Sequence, residues 1–244
     1  LMQNSPKDAG LGDLDTGDTV EADDGKPVPV MDVLKKVFAS RVTWTIAVAS
    51  MMIGLVRRST VDGWFGKYFS DILVPAGVQK AEFLPYQVAA WGIALMGIAG
   101  GFAFGISSDR IFKGRRAPVI VIGFAGMACM LAILGLSNYL ELGAWAAAIC
   151  IATLSFFVNG AHGMVGGAAS MDFGGKKAAA TAAGMFDGMQ YLAGAFVGVG
   201  MGAVLDSPAL GWGAWPWIPI PFAIIGVILM ATLWNVTPKG RGGH

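Results

Sequence analysis

Charge is scarce in this chain. Asp, Glu, Lys and Arg make up 14% of its 244 residues, where a soluble globular domain carries about 25%. The formal net charge of +1 leaves no basic field that would attract a nucleic acid, so none is expected as a partner. Cysteine is nearly absent too. Cys129 and Cys150 both lie in apolar runs, with no ligand spacing and no disulfide framework. No P-loop, HExxH or zinc-ligand spacing occurs, so no metal is expected. Gly198-Val-Gly200-Met-Gly202 neither follows a strand nor opens a helix, as a dinucleotide loop would. No motif supports a Ser-His-Asp triad. The expectation is a protein that is not an enzyme and carries no cofactor.

What the chain has in excess is apolar surface. It is 55% hydrophobic, with a mean hydropathy of +0.62. Six apolar runs, at about 42–60, 86–107, 117–137, 144–166, 180–204 and 213–235, each approach the ~20 residues that cross ~30 Å of hydrocarbon. They are rich in Ala, Gly, Leu and Met and do not alternate with polar residues, which reads as helices and not barrel strands. The expected fold is an all-α membrane protein with six transmembrane helices, the bundle occupying residues 41–236.

Basic residues are unevenly divided between the ends of these runs. Lys7, Lys26, Lys35, Lys36, Arg41, Arg110, Lys113, Arg115, Arg116, Lys176, Lys177, Lys239 and Arg241 fall on one side. Arg57, Arg58, Lys67 and Lys80 fall on the other. The positive-inside rule then puts both termini in the cytoplasm, with the short tail 237–244 there as well.

Residues 1–40 are the one long polar stretch, with Asp8, Asp13, Asp15, Asp18, Glu21, Asp23 and Asp24 spaced by Gly and Pro. Such a segment lacks the apolar surface to fold alone and reads as a cytoplasmic linker. Its end, Met31 to Phe38, spaces apolar residues at helical intervals around Lys35 and Lys36. That pattern fits a short amphipathic helix on the membrane surface, or else a solvated turn of helix. The chain starts Leu1-Met2 with no signal peptide, which suggests a piece of a longer protein.

The most specific local string is Gly105-Ile-Ser-Ser-Asp109-Arg110-Ile-Phe-Lys113-Gly114-Arg115-Arg116, between the second and third runs. An acid at a helix end, a Gly turn and clustered arginines can form a breakable charge latch. They also hold the loop in the cytoplasm. This string resembles the loop motif of the major facilitator superfamily, whose halves are built from repeats.

Two further stretches narrow the resemblance to the organophosphate:phosphate antiporters. Trp44 to Trp64, with Arg57-Arg58-Ser-Thr-Val-Asp62 at its end, is similar to their seventh helix. Gly174-Gly-Lys176-Lys177 through Gly184, then Gln190-Tyr191-Leu-Ala-Gly194, is similar to their tenth loop and eleventh helix. Asn4-Ser5-Pro6-Lys7-Asp8 resembles the start of their central loop. The resemblance therefore covers the chain almost end to end and implies the C-terminal half of a twelve-helix transporter. Its partner would be an N-terminal six-helix half, its solvent the bilayer of the inner membrane. Its substrates would be an organic phosphate and inorganic phosphate.

By that resemblance Arg57 binds the substrate phosphate, opposite a basic residue of the other half. An intramembrane guanidinium is costly, stays charged and can donate two parallel hydrogen bonds. The alternative is that Arg57 and Arg58 both snorkel to an interface. Tyr191 matches a family tyrosine that lines the pocket. His162 and Asn159, in Asn159-Gly-Ala-His162-Gly, are further polar candidates, and a histidine simply hydrogen-bonded between helices is the competing reading.

Asp187 and Gln190 are one turn apart on the same helix, close to Tyr191, and Arg57 is a candidate partner for the acid. The family more often has glycine at both positions, and a tyrosine where this chain has Gly54. Those departures keep two alternatives open: a phosphosugar-sensing membrane regulator, or a proton-coupled facilitator of another solute. Glycines four residues apart (Gly97, Gly101 and Gly105; Gly163 and Gly167; Gly184 and Gly188; Gly194, Gly198 and Gly202) read as faces for close helix packing.

Overall fold

The computed structural model describes Gly10, residues 30–174 and residues 179–236. The acidic leader over residues 1–29 (Gly10 apart), Lys176, Lys177 and the tail 237–244 lie outside the described residues. Among the described residues there are helices and turns and no strand.

The short helix α1 (Val30–Phe38) presents Met31 and Phe38 outward and buries Val37 against the bundle. Ser40 then caps α2 (Arg41–Ser59), its Oγ accepting the Thr43 N–H at 3.3 Å. The following helices are α3 (Leu84–Ile106), α4 (Arg116–Tyr139), α5 (Gly143–Gly163), α6 (Ala179–Leu205) and α7 (Ile220–Ala231). A π-helical turn, Ser107–Ile111, extends α3. A second, Met164–Ala169, carries α5 on into Ser170–Gly174.

The first five expected runs are helical and the sixth is so over Ile220–Ala231, and four helices are long and apolar enough to cross a membrane: Leu84–Ile111, Arg116–Tyr139, Gly143–Asp172 and Ala179–Leu205. The first and last are weaker by that measure, for visible reasons. Helix α2 has 19 residues but carries Arg41, Arg57 and Arg58. The last run is interrupted by Pro216, Pro219 and Pro221, which remove backbone donors and leave a 12-residue α7. Coiling continues beyond it as tight turns, with Leu233 N–H to Met230 O and Val236 N–H to Leu233 O.

Helix α3 packs mainly on α5, α2 on α6, and α4 on both α5 and α7. One apolar core runs through them, with Ile53, Phe124, Ile151, Phe186 and Trp215 fully enclosed. The apolar stretches of α4 and α5 are 44% and 56% buried, those of α3 and α6 only 17% and 22%. Two helices therefore present open sides.

The segment between α2 and α3 folds over the end of the bundle remote from Arg116. Tyr68 is buried there between Trp212 and Trp215, with ring centroids 5.4 and 4.6 Å away. Its O–H donates to Asn138 Oδ1 at 2.6 Å, and Trp215 Nε1–H donates to Ser59 O at 2.7 Å. Burial pushes the Tyr68 phenol up to about 12, against the opposing pull of the Asn138 bond. A cavity of about 430 Å³ adjoins this cluster, lined among others by Tyr68, Asn138, Glu141 and Trp212. It contains none of the candidate substrate residues.

Candidate functional site

Helices α2 and α6 run side by side in one direction, and three contacts fix their register. Ser50 Oγ donates to Phe186 O at 2.9 Å. A Cβ on Gly54 would stand 2.8 Å from Gln190 Cα. One on Gly194 would stand 3.5 Å from Arg58 Cγ. This pairing brings most of the candidate residues to one strip.

Gln190 is buried in it. Its Nε2 donates to Ser50 Oγ at 3.0 Å and lies 2.9 Å from His162 Nδ1. Since the amide N–H₂ can only donate, that geometry makes Nδ1 the acceptor and puts the neutral ring's proton on Nε2. His162 is therefore hydrogen-bonded between helices, and it lies within electrostatic reach of Arg57, Asp187 and Asp62.

Arg57 ends α2, where a cation meets the negative pole of the helix dipole. Its Nε lies 2.6 Å from Asp62 Oδ2, the two side chains 25% and 23% exposed. Asp62 also donates its backbone N–H to Arg57 O at 3.0 Å. Arg57, a candidate partner for Asp187, is paired by the turn after α2 with Asp62. The Nε–H does not point along the line to the carboxylate. The contact is an ion pair without hydrogen-bond geometry, and Arg57 Nε is left, among the described residues, as a buried side-chain donor with no acceptor.

Arg58 does not extend away by itself. Its guanidinium lies 5.3 Å from the centre of the Tyr191 ring, and Tyr191 is 68% exposed on the open side of α6. Asp187, one turn before Tyr191, is half-buried on that side, its Oδ1 3.8 Å from where a Cβ on Gly166 would stand. Asn159 is not part of this group. Its Nδ2 donates to Ser155 Oγ at 2.9 Å and lies against Gly97 of α3.

A second cluster sits at the opposite end. Arg116 Nη1 donates to Asp109 Oδ1 at 2.6 Å and to Ser108 Oγ at 3.0 Å, while its Nε donates to Asp172 Oδ2 at 2.8 Å. One guanidinium thereby joins the ends of α3, α4 and the α5 extension. Gly114, at φ 82°, makes the turn and donates its N–H to Ser108 O. Arg115 Nε–H reaches Phe112 O at 3.4 Å, and Arg110 is exposed. Asp172 was missed as a member, because nothing local connects it to a loop 56 residues earlier.

No protein-family model matches the chain. It is 31% identical over 197 residues to the probable hexose phosphate transport protein of Chlamydia pneumoniae, covering 80% of this chain and 41% of that one. It is 29% identical over 211 residues to the glycerol-3-phosphate transporter of Bacillus subtilis (strain 168), covering 84% and 44%. The membrane sensor protein UhpC of Escherichia coli (strain K12) is 27% identical over 211 residues, with the same coverage of 84% and 44%. The chain is an organophosphate:phosphate antiporter-like member of the major facilitator superfamily. It spans about half the length of the curated relatives it matches.

Within that superfamily, the departures noted in the sequence acquire a structural reason. At Gly54 the α2 backbone approaches the Cα and O of Gln190 and the Cβ of Ala193, all within 3.0 Å of any added Cβ. A tyrosine does not fit that contact. The regularly spaced glycines behave differently from expectation. Gly101, Gly105, Gly163, Gly167, Gly184, Gly188, Gly198 and Gly202 have nothing within 4 Å of an added Cβ. Of the spaced set, Gly97 and Gly194 pack inside the bundle, against Asn159 and Arg58, as Gly54, Gly123 and Gly160 also do.

Proposed function

We propose that this chain is the C-terminal half of a secondary transporter that exchanges an organic phosphate ester for inorganic phosphate by alternating access. Arg57 is its phosphate-binding residue. The observation that carries the reading is the Arg57 Nε donor, buried and without a hydrogen-bond acceptor, at the end of a strip that also holds Arg58 and Tyr191. A phosphate oxygen that displaces Asp62 accepts from this donor in hydrogen-bond geometry and a second oxygen takes the parallel donor. The relatives whose names state hexose phosphate or glycerol-3-phosphate transport support this substrate class.

The open sides of α3 and α6, with their unpacked glycines, are the surface that an N-terminal six-helix half covers. Trp91, Phe102 and Val199 stand 71%, 70% and 79% exposed along them. Helices that meet through glycine come close and slide, which suits one half rocking against the other. Arg116, Asp109 and Asp172 then act as a latch that opens and re-forms at the cytoplasmic end, with Gly114 as its turn and Arg110 and Arg115 as flanking charges. Both termini face the cytoplasm across the inner membrane, on the lysine and arginine asymmetry.

The test is exchange of labelled inorganic phosphate by proteoliposomes of the full-length protein. Uptake that needs phosphate or a phosphate ester on the opposite side supports the antiporter. The likeness to UhpC favours one other reading, a sensor of a phosphorylated solute. Binding of the ester with no exchange selects that reading.

A further inference from the structure

We propose that the phosphate ester recognised at this site also carries an ammonium group, held by Asp187. The inference rests on the phosphate reading of Arg57 and adds the second half of the ligand. Phosphate alone does not suit the strip, because Asp187 is a carboxylate on the open face that Arg58 and Tyr191 also share. Among the described residues it makes no hydrogen bond and no ion pair, and Arg57 pairs with Asp62. An ionisable side chain within a membrane span is expensive and functional by default. Here it repels a phosphate dianion unless the ligand brings a positive charge to it.

The register of α2 and α6 sets the length of such a ligand. Gly54 lies level with Gln190, Arg57 is three residues further along α2, and Asp187 is three residues back along α6. At 1.5 Å per residue the two backbone positions lie ~9 Å apart along the bundle, and both side chains reach into that interval, so the ligand proposed is a short one, a phosphate and an ammonium joined by a short carbon linker. Space is available around the acid. Gly163, Gly167, Gly184 and Gly188 leave nothing within 4 Å of an added Cβ. His162, anchored by Gln190, lies within electrostatic reach of Asp187 as a further polar group.

The experiment compares three ligands by titration calorimetry on the full-length purified protein: inorganic phosphate, n-propyl phosphate and 2-aminoethyl phosphate. The two esters have nearly the same shape and differ by the ammonium. The expected result is that 2-aminoethyl phosphate binds at least tenfold tighter than n-propyl phosphate, and that Asp187→Asn brings the ratio close to one. Equal binding of the two esters, or a preference for n-propyl phosphate, overturns the ammonium assignment while leaving the phosphate site standing. Absence of binding by all three removes both. The wild-type ratio decides the matter by itself should the variant fail to fold, and Asp187→Glu, which keeps the charge, is expected to retain part of the preference.

Discussion

Gly54 and Gln190 touch backbone to backbone: an added Cβ at Gly54 would lie 2.8 Å from Gln190 Cα and 2.9 Å from its carbonyl oxygen. The obstructing atoms cannot rotate away, so α2 and α6 must separate to admit a side chain. Gly54→Ala is expected to cost about 1–3 kcal/mol, as overpacking does. A second change, Gln190→Ala, leaves Cα and O in place and does not rescue it. Thermal unfolding of the purified protein checks this, and a Gly54→Ala protein as stable as the parent sinks the claim.

Arg116 holds three partners with one planar group, and the partners differ in exposure. Asp109 is 57% exposed, Asp172 20%, and Arg116 itself 12%. Removing an exposed partner costs little, about 0–1 kcal/mol, because water replaces it. Removing the guanidinium strands Asp172 as well, and about 2–3 kcal/mol is expected. The predicted order of destabilisation is therefore Asp109→Asn, then Asp172→Asn, then Arg116→Ala. Arg116→Lys falls between Asp172→Asn and Arg116→Ala, since the ammonium keeps the charge and three donors but lacks the planar fork that spans Asp109 and Asp172. Melting temperatures of the four variants test the ranking.

How much of this was legible in the sequence depends on the range of the interaction. Hydropathy located the helices because each run carries its own signal; α4 begins at Arg116 where the run was placed at about 117. An acid and clustered arginines in one loop were legible as a charge cluster, and Asp109 and Arg116 of that loop do pair. Asp172 and Ser50 were not, because their partners lie far along the chain and nothing in the intervening residues encodes the register. Glycine spacing marked a real surface but not its neighbour. Gly101 and Gly105 mark a close-packing face by pattern, yet they face outward from this half. The pairing of Arg57 with Asp62 was the closest miss: the acid is five residues away, just past the last helical turn, where the chain folds back onto α2.

The raised Tyr68 pKa has a consequence for stability in alkali. In the unfolded chain a tyrosine ionises near 10, and in the folded protein Tyr68 holds its proton to about 12. Between those values the unfolded state releases a proton that the folded state keeps. The stabilisation is thus fully present below pH 10 and is lost as pH rises through about 12, some 2–3 kcal/mol in all. Melting temperatures at pH 9 and pH 11.5 should fall for the parent and fall less for Tyr68→Phe. Equal falls would show that other groups drive the alkaline transition.

On the proposed phosphate site, Asp62 and the anion would compete for the same guanidinium. The Asp62 carboxylate lies 2.6 Å from Arg57 Nε, and both side chains are about a quarter exposed, at 23% and 25%. A partly exposed pair of this kind holds about 0.5–1 kcal/mol. An anion that replaces Asp62 must overcome that energy, so Asp62→Asn is expected to tighten inorganic phosphate binding about two- to fivefold. Arg57→Lys acts in the other direction. It keeps the charge but loses the fork, and binding should weaken about tenfold or more. Titration of the full-length protein with phosphate measures both. If Asp62→Asn weakens binding instead, the carboxylate orients Arg57 for the anion and does not compete with it.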